Sequence, residues 1–261
     1  MDDRQTPAAG WGLAIATLLA IIGTLAVNTL SNFYAPGGEN VGEIANTTLA
    51  GVLITPANYA FAIWGLIYLG LMAYGVYQLG PKQRQDAGIR RVNQLLIVAC
   101  LAQMVWIFLF TLKLFWLSVL AMLGILVPLM IVYLILYGDA AATRQRRWFA
   151  RYPFSLYLGW IAVATVVNVA SALYDSGWRG DYSSVTWTVV MVLVTAAIAA
   201  VVIFTRQDVP FTLVFVWAYV AIAVRHSTIL AIWLTAALAA IGLLALLVWQ
   251  RSRSRRPLKT G

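Results

Sequence analysis

Hydrophobic positions in this chain fall in long uninterrupted runs, and nearly all the charge is gathered into short segments between them. The runs predict eight helices, over residues 11–30, 56–79, 92–112, 115–137, 153–174, 185–205, 210–224 and 228–249. Most are near the twenty-odd residues needed to cross a hydrocarbon core of about 30 Å at 1.5 Å per residue. The run at 210–224 is short, near 22 Å at that rise, and is read as a full span with Arg225 reaching back to the surface. Pro128 falls in mid-helix and predicts a kink. Pro56 is placed in the first turn of its helix, where its missing N–H is no loss. Residues 32–54 read as a loop of about twenty residues, a length usually reserved for function, with Pro36, Gly37 and Gly38, two acids and no basic residue.

Composition fixes the solvent. Hydrophobic residues are 62% of 261, charged residues 10%, and the mean hydropathy is +0.83. A soluble domain carries about 25% charged residues, so this chain cannot cover a water-facing surface. The fold class is all-α, a polytopic transmembrane helix bundle. The net charge of +9 does not point to nucleic acid, because the basic residues sit between spans and set orientation. With the N-terminus inside, fifteen of the eighteen Lys and Arg fall on the cytoplasmic side, leaving Lys113, Arg179 and Arg225 opposite. That bias predicts an inner-membrane protein with both termini cytoplasmic, an even number of spans, and the 32–54 loop facing away. Residues 1–10 do not read as a cleavable signal, since Asp2 and Asp3 outweigh Arg4 and the following run is long.

Little in the spans suits acid–base or metal chemistry. The predicted runs hold no Asp, Glu, Lys or Arg, which argues against ion-coupled relays. Cys100 is alone, so neither a disulfide nor a cysteine metal site is expected. The single histidine, His226, reads as a surface or interfacial residue at a helix end. No metal site and no required cofactor are expected.

Aromatic rings and amides are what remain. Phe61, Trp64 and Tyr68 share one face of the second run; Gln103, Trp106 and Phe110 share one face of the third. Tyr157, Trp160, Ala164 and Asn168 form one stripe on the fifth. Three such faces could line a pocket for a flat apolar ligand, with Gln103 and Asn168 orienting it. They could equally be helix packing with interhelical hydrogen bonds, and spacing alone leaves both open.

At these residues the chain resembles the tryptophan-rich sensory protein / translocator protein family, formerly the peripheral benzodiazepine receptor. That family's second helix reads P-P-x-W-x-F-x-x-V-W-x-x-L-Y. Here Pro56, Tyr59, Phe61, Trp64 and Tyr68 give the same succession of proline, aromatic, Phe, Trp and Tyr. For the third-helix N-x-x-W and its Phe pair this chain has Gln103, Trp106, Phe108 and Phe110. The fifth-helix pattern P-Y-x-x-W-x-x-F-A-T-x-L-N is met by Tyr157, Trp160, Ala164, Thr165 and Asn168. Ala57 and Leu156 stand where the family has proline, and the first loop carries Phe33 and Tyr34 rather than a Trp-rich pattern.

The resemblance covers residues 11–174 and implies a five-helix core with a cavity opening toward the loop after the first helix. Residues 1–10 are then a cytoplasmic N-terminus, 175–249 additional helices outside that core pattern, and 250–261 a basic cytoplasmic tail. The resemblance further implies a porphyrin or other tetrapyrrole, or a related flat hydrophobic molecule, as ligand, with membrane lipid around it and a homodimer left open. Trp64 and Trp160 match pocket tryptophans linked in the family to light- and oxygen-dependent porphyrin breakdown, and Ala164 matches a small residue that leaves room for ligand. Three readings follow in order: a tetrapyrrole-binding sensor or regulator with Trp64 and Trp160 sandwiching the macrocycle, a porphyrin-degrading enzyme using the same two residues, and a porphyrin or amphiphile transporter.

Overall fold

The computed structural model describes residues 10–139, 141–178 and 183–254. Asp2, Asp3 and Arg4, together with Arg179, Arg255, Arg256 and Lys259 of the charge bias, lie outside them. Among the described residues every regular element is helical. The chain forms α1 (Trp11–Ser31), α2 (Val41–Asn46), a 3-10 turn (Asn58–Ala62) leading into α3 (Ile63–Tyr77), and α4 (Pro81–Gln85). It continues with α5 (Ala87–Thr111), α6 (Phe115–Gly138), α7 (Arg144–Arg146), a π turn (Arg147–Arg151) and α8 (Tyr152–Asp175). The last three helices are α9 (Ser184–Arg206), α10 (Val209–Arg225) and α11 (Leu230–Ser254). Among the described residues, seven helices are long and apolar enough to cross a membrane, and α10 is the shorter eighth.

Helices α1, α3, α8, α6 and α5 each touch the next, and α5 closes on α1, so five spans form a ring. Outside it, α10 lies against α8, and α9 and α11 lie against α10. At 17 residues α10 reaches about 25 Å, and its ends are closed by protein rather than by headgroups. The buried Asp208 side chain accepts from Phe211 N at 3.2 Å and from Ser155 Oγ at 2.7 Å. At the other end, Arg225 donates to the carbonyls of Pro56 at 3.2 Å and Ala45 at 3.1 Å. A backbone end short of the interface needs such partners, because hydrocarbon offers none. Arg225 therefore reaches into the protein, where the sequence reading sends it to the surface.

Other expectations need adjusting at element ends. Pro56 precedes the helix instead of starting it: Ala57 is extended and the 3-10 turn begins at Asn58. The charged stretch 144–151 is helical and continuous with α8, giving one helix over Arg144–Asp175. Its charges flank an interfacial helix rather than a loop. The 32–54 loop contains α2, set by a capping box in which Asn40 and Glu43 each satisfy the other's backbone N–H. The loop is tied down: Glu39 pairs with Lys113 at 2.7 Å, and a Cβ on Gly37 would run into the Thr111 carbonyl. Helix α6 runs through Pro128 from Phe115 to Gly138.

Candidate ligand cavity

Inside the five-helix ring, at the end carrying the 32–54 loop, lies a cavity of about 440 Å³. That falls within the size range of small-molecule sites. Its mouth is at the loop, with α2 along the rim: Asn40, Val41, Gly42, Glu43, Ala45 and Asn46 all line it. Its walls come from α3, α5, α6 and α8.

Eight of the ten residues expected from sequence line this space: Phe61, Trp64, Gln103, Trp106, Phe110, Trp160, Ala164 and Asn168. Tyr68 and Tyr157 do not. They are buried behind the wall and hold the Gln103 amide from two sides. Gln103 Nε2 donates to Tyr68 Oη at 2.8 Å, and Tyr157 Oη donates to Gln103 Oε1. That node ties α3, α5 and α8 together. Asn168 is held in the same way. Its Oδ1 accepts from Trp106 Nε1 at 2.5 Å, and its Nδ2 donates to Ser118 Oγ at 2.9 Å, joining α8 to α5 and α6. Gln103 and Asn168 were expected to orient a guest; the structure gives both amides protein partners. Each satisfies a polar group that hydrocarbon would leave unpaired.

Trp64 and Trp160 meet, as expected, but not as two plates. Their centroids are 6.5 Å apart and their planes lie at 85°. Sandwiching a planar guest needs parallel rings about 7 Å apart, twice a contact distance of about 3.5 Å. The sandwich is therefore corrected to a corner: two perpendicular indoles in edge-to-face contact, a favoured aromatic geometry. Phe61 packs edge-on to Trp160 at 6.0 Å, and Tyr68 stacks on Trp64 at 5.4 Å. One face of Trp64 is thus taken by Tyr68.

Sequence reasoning missed the rim. Asn28, Asn32, Asn40, Glu43, Asn46 and Asn58 all line the mouth, and a signal for them existed. The chain has only seven asparagines, and five of them fall between residues 28 and 58. The rim is also electrostatically plain, since among the described residues Glu43 is the only charged one lining the cavity. Nearby, Glu39 is paired with Lys113, whose ammonium holds the Glu39 carboxyl below the usual carboxylate range, helped by Thr47 Oγ1.

His226, expected at the surface, is buried just past α10. Burial, with Arg225 adjacent, holds its imidazole below the ordinary histidine range against hydrogen bonds to Leu53 and Thr55. It does not line the cavity. Trp217, also outside the expected set, secures the turn that presents Phe61: its Nε1 donates to Ala60 O at 3.0 Å, and Tyr59 packs edge-on to its ring at 5.3 Å. Among the described residues, no three His, Cys, Asp or Glu side chains are grouped so as to hold a metal ion.

A family model described as TSPO-like protein matches residues 14–249. The chain belongs to the TSPO-like protein family. The match extends past the five-helix ring to take in α9, α10 and most of α11, so this TSPO-like protein carries its family pattern through the C-terminal helices too. Family and helices together make it an integral membrane protein. Searches of curated proteins and of solved structures each found no match to the chain.

Proposed function

We propose that this TSPO-like protein binds a tetrapyrrole, or a related flat hydrophobic molecule, in the cavity inside its five-helix ring and acts as a sensor or regulator. One observation carries the reading: a cavity of about 440 Å³ opens at the 32–54 loop and is walled by Phe61, Trp64, Trp106, Phe110 and Trp160. Ala164 among these rings leaves the floor space that a larger side chain would fill. A flat guest gains area against several rings there, and the rings lose no freedom on binding because they already brace one another. Orientation belongs to the same proposal. The basic bias of the chain supports both termini in the cytoplasm and the cavity mouth on the far side. The bacterial inner membrane as the location follows from the chain's likeness to longer, bacterial-type members of the family.

The test is a titration of the purified protein with protoporphyrin, followed by quenching of tryptophan fluorescence. Saturable binding near micromolar, about −8 kcal/mol, is expected. Its absence leaves a TSPO-like fold without this ligand class.

A second reading has one observation in its favour. Trp64 touches Trp160, Tyr68 and Tyr157, with centroids between 5.4 and 6.5 Å, which puts a connected set of oxidisable rings beside the guest. Light-driven porphyrin breakdown with oxygen as oxidant would use them. In that case replacing both Trp64 and Trp160 by Phe stops the loss of porphyrin absorbance under illumination and spares affinity in the dark.

A further inference from the structure

We propose that the cavity selects flat guests whose polar end is uncharged, and disfavours guests that present carboxylates at the mouth. The inference rests on the ligand-binding reading above and narrows the chemical class of the guest.

Six of the seven asparagines in the chain line this one cavity: Asn28, Asn32, Asn40, Asn46 and Asn58 around the mouth, and Asn168 deeper in. Part of their capacity is spent within the protein: Asn46 Nδ2 donates to Asn58 Oδ1 at 3.0 Å, Asn32 Nδ2 to Asn28 O at 2.7 Å, Asn40 Oδ1 accepts from Glu43 N, and the Asn168 amide is held by Trp106 and Ser118. What these side chains present to a guest beyond those bonds is uncharged. A primary amide offers two donors and an acceptor with no charge. A ring of them matches amides and hydroxyls, which both give and take hydrogen bonds, and esters or ketones, which only take them. Sites that recognise carboxylates are built differently, around Arg or Lys, with the planar guanidinium favoured for its two parallel donors. Among the described residues this rim has neither: no Lys or Arg lines it.

Among the described residues, two cations on this side of the bundle, Lys113 and Arg225, are committed elsewhere. Lys113 is paired with Glu39 at 2.7 Å. Arg225 directs its guanidinium at the carbonyls of Ala45 and Pro56, so it braces the cavity wall. The charge that does line the mouth is negative. Glu43 closes the α2 capping box through Oε2, which accepts from Asn40 N at 2.7 Å, and the group is exposed. A guest carboxylate at the mouth would give up water, find no cation, and meet a like charge. An uncharged head meets no such repulsion. The apolar interior and uncharged polar rim are thus matched to one kind of molecule: flat, hydrophobic and neutral at its hydrogen-bonding end.

The experiment compares protoporphyrin, which has two carboxylates, with its dimethyl ester, in the same zwitterionic detergent and followed by absorbance of the porphyrin band. The full-length protein and Glu43→Gln are each titrated with both. Gln keeps the capping box, because its side-chain oxygen still accepts from Asn40 N. In the wild type the ester is expected to bind more tightly. In Glu43→Gln the acid gains about fivefold, the scale of one like-charge pair at a wet rim, while the ester is unchanged. Comparing the acid-to-ester ratio between the two proteins cancels the ester's greater solubility in detergent. As a second measurement, raising the salt concentration should strengthen binding of the acid by the wild type and leave Glu43→Gln flat. Tighter binding of the acid than the ester, or an acid affinity that falls with salt, overturns the inference and keeps the ligand reading. Binding of neither porphyrin overturns both.

Discussion

The two ends of the five-helix ring are built from the same residue types and do opposite things. At the end away from the 32–54 loop, polar and aromatic groups close the bundle. Gln78 Nε2 donates to Ala14 O at 2.9 Å, Asn93 Nδ2 donates to Gln78 Oε1 at 2.9 Å, and Tyr74 Oη donates to Asn93 Oδ1 at 2.5 Å. Tyr74 also packs edge-on to Phe154 at 4.9 Å, bringing α3 against α8. Outside this layer, Asp86 pairs with Arg146 at 2.9 Å. At the loop end, the amides of Gln103 and Asn168 are equally satisfied, but by rings that stand back against the helices. Tyr68 and Tyr157 lie behind the cavity wall and Trp106 is part of it. At one end the amide–aromatic bonds cross-link α1, α3 and α5; at the other they tie together the helices that wall the cavity.

The largest effect should come from filling the open end. Ala164→Phe is expected to weaken porphyrin binding about a hundredfold, near 2.7 kcal/mol, with a smaller loss of stability, read by absorbance titration beside a melting curve. A melting loss without an affinity loss would mean the guest sits elsewhere. Next is the closed end. Asn93→Leu removes the acceptor for Tyr74 and the donor to Gln78, both buried. It should cost about 2 kcal/mol in unfolding with porphyrin affinity unchanged; an equal effect on binding would show the two ends to be one unit.

Asp86→Ala should cost about 1 kcal/mol, since the carboxylate caps α5 through Ile89 N at 2.8 Å and holds Arg146. Smallest is a pH effect at the loop end. The folded state keeps the His226 pKa below its usual 6.5, so the unfolded chain takes up the proton first on acidification. Stability is then full above about pH 6.5, falls as pH drops toward the folded value, and levels off beneath it. His226→Asn should flatten that slope in melting curves taken across the window.

Much of this contrast was legible in the sequence, and the exceptions have physical causes. Eight apolar runs became eight helices because the bilayer fixes their length. The stripes on α3, α5 and α8 converge because helical spacing determines which side chains share a face. Spacing could not tell the wall from the layer behind it. Tyr68 follows Trp64 by four residues, and that separation permits stacking beneath a ring as readily as standing beside it. The rim was hidden for another reason: α2 has six residues, too few to show a period. Charge misled at 144–151, because basic residues beside headgroups suit a helix as well as a loop. His226 and Arg225 looked like surface groups because nothing in the chain order shows that Leu53, Pro56 and Ala45 close over them.

The central claim is that a flat guest lies in the corner made by Trp64 and Trp160. Fluorotryptophan incorporated throughout the protein gives each indole its own fluorine resonance, assignable by single Trp→Phe variants. Titration with the porphyrin dimethyl ester should shift the Trp64 and Trp160 resonances together and saturably while Trp148, on the outer surface, stays still. Movement at Trp148 with Trp64 and Trp160 unchanged would contradict the account.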